Sequence, residues 1–294
     1  DGYPTYNFAH IVDDADMQIS HVMRGQEFLA STPNYLNLYE ALSIEPPKLV
    51  TLPHIMAEQG HKNLSKRDGA KDVLDYIADG YPAEALVSFI ATLGWNDGTD
   101  QEVFTRQELI EKFSLDRIQK SGAQFDERRL NWVSGSIIRS TPLDTLFDQV
   151  NSFWPEEAAQ ATNDYKKLVL SLTQERLKHF SELPNLTRFF FIDLPINKEL
   201  ISTHKQLKKL PTEELLSLLN QARSSIETSD FSVTDLTDRL NQLLESTGQK
   251  PAVLFSLIRI AITQAPASPG LADTMVVLGK DKVLQRIDNQ IASL

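Results

Sequence analysis

A short charged segment near the start of the chain has the residue types that bind phosphate groups. Residues 60–69 read Gly-His-Lys-Asn-Leu-Ser-Lys-Arg-Asp-Gly. The two glycines let the backbone bend freely. Lys66 offers a point charge and Arg67 a planar fork, while Ser65 and the backbone amides can donate hydrogen bonds. The segment therefore predicts a mobile loop that contacts a polyphosphate, although an isolated triplet of this kind more often belongs to a solvated surface turn.

The elements before this loop must position it. Residues 4–12 are rich in β-branched and aromatic side chains and predict a strand, followed by a turn. Residues 17–23 predict a second strand that ends at Arg24 and Gly25. The triplet 31–33, Ser-Thr-Pro, combines a hydroxyl cap with an early proline and predicts the start of a helix. Residues 48–56 predict another extended segment, which leads into the loop.

Downstream of the loop the pattern becomes helical and stays so. Residues 105–108 form a capping box, and residues 165–180 form one long amphipathic run. Residues 252–263 predict a buried helix. We therefore predict a mainly α protein with a small α/β part at its start.

Composition excludes several kinds of site. The chain has 294 residues, 41% of them hydrophobic, and no cysteine, so disulfides and thiolate metal sites are excluded. The six histidines lack the spacing of a helical zinc site, and we expect no protein-bound metal. The longest apolar run, residues 252–263, is shorter than the ~20 residues a membrane span needs. No signal-peptide pattern opens the sequence, so we expect a cytoplasmic protein without a membrane partner.

The charge balance argues against indiscriminate nucleic-acid binding. The formal net charge is −11, so an RNA partner would need local basic faces on an acidic body. Lys205, Lys208 and Lys209 form one such cluster at helical spacing. Most clusters of this kind are merely solvated faces.

Several ordered segments together resemble the class I glutamyl-tRNA synthetases of bacteria. The matching segments are Asp1-Gly2-Tyr3-Pro4-Thr5-Tyr6-Asn7-Phe8-Ala9 with Val12-Asp13-Asp14, Met17 to Gly25, Ser31-Thr32-Pro33, Leu64-Ser65-Lys66-Arg67-Asp68-Gly69, Gly80-Tyr81 with Glu84-Ala85-Leu86, Leu93-Gly94-Trp95, Ala123-Gln124-Phe125-Asp126 with Leu130-Asn131-Trp132, Ser268-Pro269-Gly270-Leu271 and Leu278-Gly279. The first class I signature, His-Ile-Gly-His or similar, does not occur. We therefore expect the chain to be a piece of a longer protein, without the N-terminal half of the catalytic domain.

The resemblance implies an ATP site around the charged loop. Leu64, Ser65, Lys66 and Arg67 are similar to the second class I signature, in which Lys66 would neutralise the ATP phosphates as pyrophosphate leaves. Glu27 would lie near the adenosine ribose. ATP would be a substrate accompanied by Mg²⁺. The family usually has a lysine before the leucine, where this sequence has an asparagine.

The resemblance also implies a glutamate pocket. Arg24 matches the arginine that binds the glutamate substrate, and a guanidinium fork suits an acidic amino acid. Tyr6 matches a pocket tyrosine, and His10 occupies a pocket position that varies. The structural alternatives are core packing for Tyr6 and a surface ion pair for Arg24.

The partner that the resemblance implies is tRNA-Glu, with tRNA-Gln as an additional candidate. Lys120, Arg128 and Arg129 lie in the segment that would contact the inner corner of the tRNA. These cations could equally be helix-surface charges, and we expect Trp132 to be a core residue. The helical tail would read the anticodon from splayed bases. We expect a monomer.

The resemblance divides the chain into four parts. Residues 1–75 would form the C-terminal part of a Rossmann-type catalytic domain with the lysine loop, and residues 76–140 a helical stem-contact region. Residues 141–195 and 196–294 would form two helical anticodon-binding subdomains.

Two functions from different classes fit these features. The first is a glutamate–tRNA ligase whose isolated 294-residue chain is inactive. The alternative is a non-catalytic helical tRNA- or protein-binding module derived from a synthetase. An enzyme that glutamylates a modified tRNA base would generally lack the helical tail, and a glutaminyl enzyme would carry β-barrels there.

Overall fold

The computed structural model describes residues 2–57, 63–64, 71–265 and 267–294. The chain divides into two compact units. The N-terminal unit comprises residues 1–137 and the C-terminal unit residues 138–294. The finer division into four parts stays a prediction.

The N-terminal unit mixes short strands with helices. Its elements in order are α1 (Tyr6–Asp16), β1 (His21–Gly25), a 3₁₀ helix (Gln26–Ser31), α2 (Thr32–Ala41), β2 (Lys48–Leu52), β3 (Ile55–Met56), α3 (Val73–Ala78), α4 (Ala83–Ala91), α5 (Arg106–Lys112), a 3₁₀ helix (Leu115–Arg117), β4 (Ala123–Gln124) and α6 (Glu127–Ser140), the last of which continues past residue 137.

The described part of the C-terminal unit consists of helices and their connections. Its α-helices are α7 (Leu143–Gln149), α8 (Asn163–Thr173), α9 (Leu183–Phe191), α10 (Glu199–Ser202), α11 (Thr212–Glu227), α12 (Val233–Thr247), α13 (Pro251–Thr263), α14 (Leu271–Leu278) and α15 (Lys280–Ser293). Short 3₁₀ helices span Asn151–Phe153, Glu156–Ala158, Gln174–Arg176, Phe180–Glu182 and Leu207–Lys209.

The strands pair in parallel. β1 lies beside β2 in a register that joins His21 to Lys48 and Gly25 to Leu52. Parallel neighbours need a crossover connection, and α2 supplies it here. The predicted helix start at residues 31–33 is confirmed, and β3 pairs in parallel with β4.

The predicted strand over residues 4–12 is wrong. Residues 6–12 lie in α1, which also includes the three aspartates predicted as a turn. Ile11 is fully buried and belongs to one cluster with Tyr35 and Tyr39, which lie about one turn apart in α2. Packing of this one helical face therefore outweighs the strand preference of its β-branched and aromatic residues.

A second cluster holds the rest of the N-terminal unit together. Leu86 and Phe89 of α4 pack with Leu130 and Val133 of α6. At the start of α5 the predicted capping box is present, since the Thr105 hydroxyl accepts from the Glu108 amide and the Glu108 carboxylate from the Thr105 amide.

The core of the C-terminal unit surrounds α13. Helices α11, α12, α14 and α15 all contribute side chains to the same cluster as α13. The predicted buried helix is confirmed, with eight buried residues in α13. The long predicted run over residues 165–180 is shorter in the structure, because α8 ends at Thr173 and a 3₁₀ turn follows. There the Gln174 amide group donates to the carbonyls of Ile138 and Thr141 at 2.8 Å each.

Candidate functional site

Arg24 lies at the carboxyl end of β1, inside a set of aromatic rings. Its guanidinium carbon is 5.8 Å from the ring centroid of Tyr6 and 5.4 Å from those of Phe28 and Tyr35. The side chain is only 20% exposed. Aromatic faces at this distance attract a cation, so the rings hold the guanidinium in place and shield it from water.

Helix α1 brings the other predicted glutamate-binding residues to Arg24. Tyr6 and His10 are four residues apart and therefore share one face of the helix. The His10 ring stacks on Tyr6 at 5.0 Å and meets the edge of Tyr35 at 4.7 Å. His10 Nδ1 also lies 2.8 Å from the Tyr6 carbonyl oxygen. The structure thus places Tyr6, His10 and Arg24 in one cluster.

The same helix face carries Asp14, which was not among the predicted site residues. Its Oδ2 atom lies 3.9 Å from Arg24 Nη2 and accepts a hydrogen bond of 3.5 Å from the Tyr39 hydroxyl. Burial raises the pKa of Tyr39, and the charge and hydrogen bond of Asp14 raise it further. Asp14 follows His10 by four residues, so the spacing of a helix would have revealed it.

The guanidinium of Arg24 keeps its hydrogen-bonding capacity. The 3.9 Å separation from Asp14 is too long for a hydrogen bond. Within the described ranges, Arg24 donates no side-chain hydrogen bond. A small, mostly apolar cavity opens beside it, lined by Phe28, Tyr35 and Thr51 among others. A largely shielded cation with free donors at the edge of such a cavity is a site for an anion.

Glu27 lies two residues after Gly25, the last residue of β1. Its carboxylate lies 3.5 Å from His54 Nδ1, and its side chain is 58% exposed. A side chain at Gly25 would overlap this carboxylate unless the carboxylate moved. Glycine at position 25 therefore leaves room for the position that Glu27 adopts.

Two residues of the predicted lysine loop, Asn63 and Leu64, lie alongside β3. Asn63 forms an antiparallel bridge with Met56, and the Leu64 amide donates to the Ile55 carbonyl at 2.8 Å. Ser65, Lys66 and Arg67 lie outside the described residues. Their approach to ATP, and any cavity that Lys66 shares with Arg24, stay predictions.

The predicted tRNA contacts differ in how free their charges are. Arg129 donates to the Thr92 hydroxyl at 3.0 Å and lies 3.6 Å from the Glu102 carboxylate. Its charge is therefore largely compensated. The side chains of Arg128 and Lys120 are exposed, and neither belongs to an ion pair with another described residue.

Trp132 is not a core residue, contrary to prediction. Its side chain is 51% exposed. Leu130 and Val133 occupy the buried face of α6. Trp132 lies four residues after Arg128, so the two belong to the same outer face of the helix.

Membrane-spanning helices and clustered metal ligands are both absent from the described residues. None of the helices there combines the length and the apolar character that crossing a bilayer requires. No group of three or more histidine, aspartate or glutamate side chains in these residues is arranged to hold a metal ion.

Comparison with known proteins defines the class of the chain. Residues 1–132 match the family model of the catalytic domain of class I tRNA synthetases (E and Q), and residues 145–291 match that of an anticodon binding domain. The chain therefore belongs to the class I tRNA synthetases of the glutamyl and glutaminyl group. The predicted family and fold class are confirmed.

Solved structures share this fold over nearly the whole chain. One is a glutamate tRNA ligase from Elizabethkingia meningosepticum in complex with its amino acid, with 24% identity and a TM-score of 0.78. The match covers 99% of this chain and 60% of that ligase. A second is the glutamate-tRNA synthetase from Elizabethkingia anophelis, with 25% identity and a TM-score of 0.75. This match covers 98% of this chain and 60% of that synthetase. The chain thus spans about three fifths of the length of these relatives.

Proposed function

We propose that this chain acts in a glutamate–tRNA ligase, which attaches L-glutamate to tRNA-Glu through a glutamyl-adenylate made from ATP. One observation carries the proposal. The Arg24 guanidinium is held by aromatic rings at the edge of a cavity, while its N–H groups have no acceptor among the described side chains and carbonyls. A carboxylate is the ligand that matches such a fork in both charge and geometry.

The residues around Arg24 have separate roles in this proposal. Arg24 binds the side-chain carboxylate of glutamate, and the Tyr6 hydroxyl donates a further hydrogen bond to the substrate. His10 stacks on the Tyr6 ring and fixes its orientation. A glutamine side chain is neutral and would leave the open N–H groups of the guanidinium without a charged acceptor, so the pocket favours the acid.

ATP is the second substrate. An oxygen of the glutamate α-carboxylate attacks the α-phosphorus, the bond to the β-phosphate oxygen breaks, and pyrophosphate leaves. Lys66, with Ser65, Arg67 and the backbone of Leu64, would neutralise the negative charge that moves onto the departing phosphates. Glu27 would accept a hydrogen bond from the ribose. Mg²⁺ would arrive as part of the ATP substrate.

The RNA substrate is tRNA-Glu, with tRNA-Gln as a second candidate. Arg128 and Trp132 would form part of the contact surface, because one is a cation and the other can stack on a base. Lys120 is an exposed cation as well, whereas Arg129 would contribute little while it is paired with Glu102. The helical unit would read the anticodon. We propose a cytoplasmic monomer.

Aminoacylation by the product of the complete reading frame tests this function. We expect Arg24→Gln to lower kcat/KM for L-glutamate at least about 100-fold, or about 2.7 kcal/mol. The matched control, Arg128→Gln, removes the same charge and should raise only the KM for tRNA. Comparison of tRNA-Glu with tRNA-Gln would show which of the two is charged.

The outcomes separate the two candidate functions. Unchanged glutamate kinetics in Arg24→Gln would contradict the pocket assignment. A wild-type product that binds tRNA but charges neither tRNA would support the non-catalytic module, which the separate core of the C-terminal unit would permit. For the 294-residue chain alone, we expect no glutamate-dependent ATP–pyrophosphate exchange, and measurable exchange would contradict this expectation.

A further inference from the structure

A short stretch of the C-terminal unit concentrates positive charge. We call residues 198–209 the basic segment. It contains Lys198, Lys205, Lys208 and Lys209 against a single carboxylate, Glu199. All four lysine side chains are exposed. This excess is local, because the chain as a whole has a formal net charge of −11.

Among the described residues, these lysines have no carboxylate partner, whereas five other cations of the unit do. The lysine and arginine ion pairs of the described part of the unit are Lys167 with Asp144, Arg188 with Glu157, Arg223 with Asp288 and Glu227, Arg239 with Asp235, and Arg286 with Asp193. None of the ion pairs among the described residues includes a lysine of the basic segment. Its charge therefore remains available to a polyanion.

Buried side chains and local hydrogen bonds fix the backbone of the basic segment. Ile201 and Leu207 are buried in the main core cluster of the unit. His204 Nδ1 accepts hydrogen bonds of 3.3 Å from the amides of Gln206 and Leu207. The Lys208 amide donates to the His204 carbonyl at 3.2 Å. An ordered backbone displays the lysines, so binding would order only their side chains.

We infer that the basic segment is a docking surface for the phosphate backbone of tRNA. The inference rests on the proposed function and adds to it the place where the helical unit meets the RNA backbone. Lysine ammonium groups are point charges that bind phosphates without reading bases. The segment therefore contributes affinity and salt dependence for any tRNA, while the choice of tRNA depends on other residues. The segment lies within residues 145–291, which match the anticodon binding domain model.

The test is the salt dependence of tRNA binding. We would titrate the 294-residue chain with a tRNA-Glu transcript between 50 and 200 mM salt and compare the slopes of log Kd against log salt. Each lost phosphate contact lowers this slope by about 0.7 to 0.9. The triple variant Lys205→Gln, Lys208→Gln, Lys209→Gln should therefore lose about 2 to 3 units of slope. The corresponding triple replacement by arginine should keep the slope.

A charge-matched control removes three cations of the same unit that are already paired. It carries Lys167→Gln, Arg188→Gln and Arg223→Gln, and its slope should stay at the wild-type value, because these cations already have carboxylate partners. Circular dichroism would establish that all three triple variants are folded.

Each result has one meaning. A wild-type slope in the lysine triple variant would refute the inference, and so would an equal loss in the paired control, which would reflect net charge alone. If the lysine variant kept tRNA binding but lost binding to phosphatidylserine vesicles, the surface would serve a membrane instead. Failure of the wild-type 294-residue chain to bind tRNA at any salt concentration would also refute the inference, whereas failure of the product of the complete reading frame to bind tRNA would contradict the proposed function itself.

Discussion

Replacement of Arg286 tests how the C-terminal unit is held together. This residue of α15 is 7% exposed. Its Nε donates to Asp193 at 2.8 Å, its Nη1 to the Ile262 carbonyl at 2.6 Å, and its Nη2 to the carbonyls of Phe189 and Ile192 at 2.8 Å each. The three carbonyls belong to the ends of α9 and α13, or to the residue that follows α9, where helices expose unpaired acceptors.

The expected cost of Arg286→Met follows from these contacts. Methionine keeps much of the apolar volume but leaves the acceptors without a donor. One buried polar group left unsatisfied costs about 1–3 kcal/mol. Removal of one partner from a buried charged network costs about 3–5 kcal/mol in all, less than a simple sum because neighbouring groups relax together. We expect Arg286→Met to lower the free energy of unfolding of this unit by about 3–5 kcal/mol.

Arg223→Met is the matched control for this measurement. Arg223 is paired with Glu227 and Asp288, but its side chain is 30% exposed, so water screens both pairs and its removal should cost far less than that of Arg286. Because the chain has two units, a single urea transition would mix them. Hydrogen exchange at the amides of α13, followed by mass spectrometry, reports on the C-terminal unit alone. A loss below about 1 kcal/mol for Arg286→Met, or one no larger than in the control, would refute this reasoning.

Two further predictions concern the N-terminal unit. Hydrogen bonds from the side chains of Thr99 and Lys112 lower the pKa of Asp97 to about 2. The stabilisation that the ionised Asp97 carboxylate contributes is fully present above its unfolded pKa of about 3.9 and is lost as the pH falls toward 2. Asp97→Asn should therefore flatten the fall in melting temperature over that range, and an unchanged pH profile would contradict this. Trp132→Ala should change folding stability by less than about 0.5 kcal/mol, yet weaken tRNA binding by about 1–3 kcal/mol in a filter-binding assay. A stability loss of several kcal/mol would show instead that Trp132 packs as a core residue.

The sequence predicted the helical unit well because its helices carry long apolar faces. In α11, for example, Leu215, Leu218, Leu219, Ala222 and Ile226 recur at helical spacing, and all are buried. A pattern of this length leaves little choice of secondary structure. Short elements carry less of this information, and their secondary structure is decided by contacts with distant parts of the chain.

Helix α1 shows this limit. Its aromatic and β-branched residues favour a strand locally, and only the packing of Ile11 against the later helix α2 selects the helical form. The wrong prediction also hid Asp14, since in a turn after a strand it would have no fixed relation to Arg24. The residues Tyr6, His10 and Arg24 were predicted through a family resemblance, and the helix explains why they lie together.

Composition alone could not separate the cations that stabilise the fold from those that remain open to a ligand. Arg128 and Arg129 are neighbours in sequence, yet Glu102 compensates only the second. Arg286 and Lys208 lie in the same unit, but one is buried against carbonyls, while the other is exposed and has no carboxylate partner among the described residues. The position of each carboxylate in the folded chain decides between these roles. A cation with few partners in the fold can bind an anionic ligand. Arg24 therefore suits a single carboxylate, and the basic segment suits a chain of phosphates.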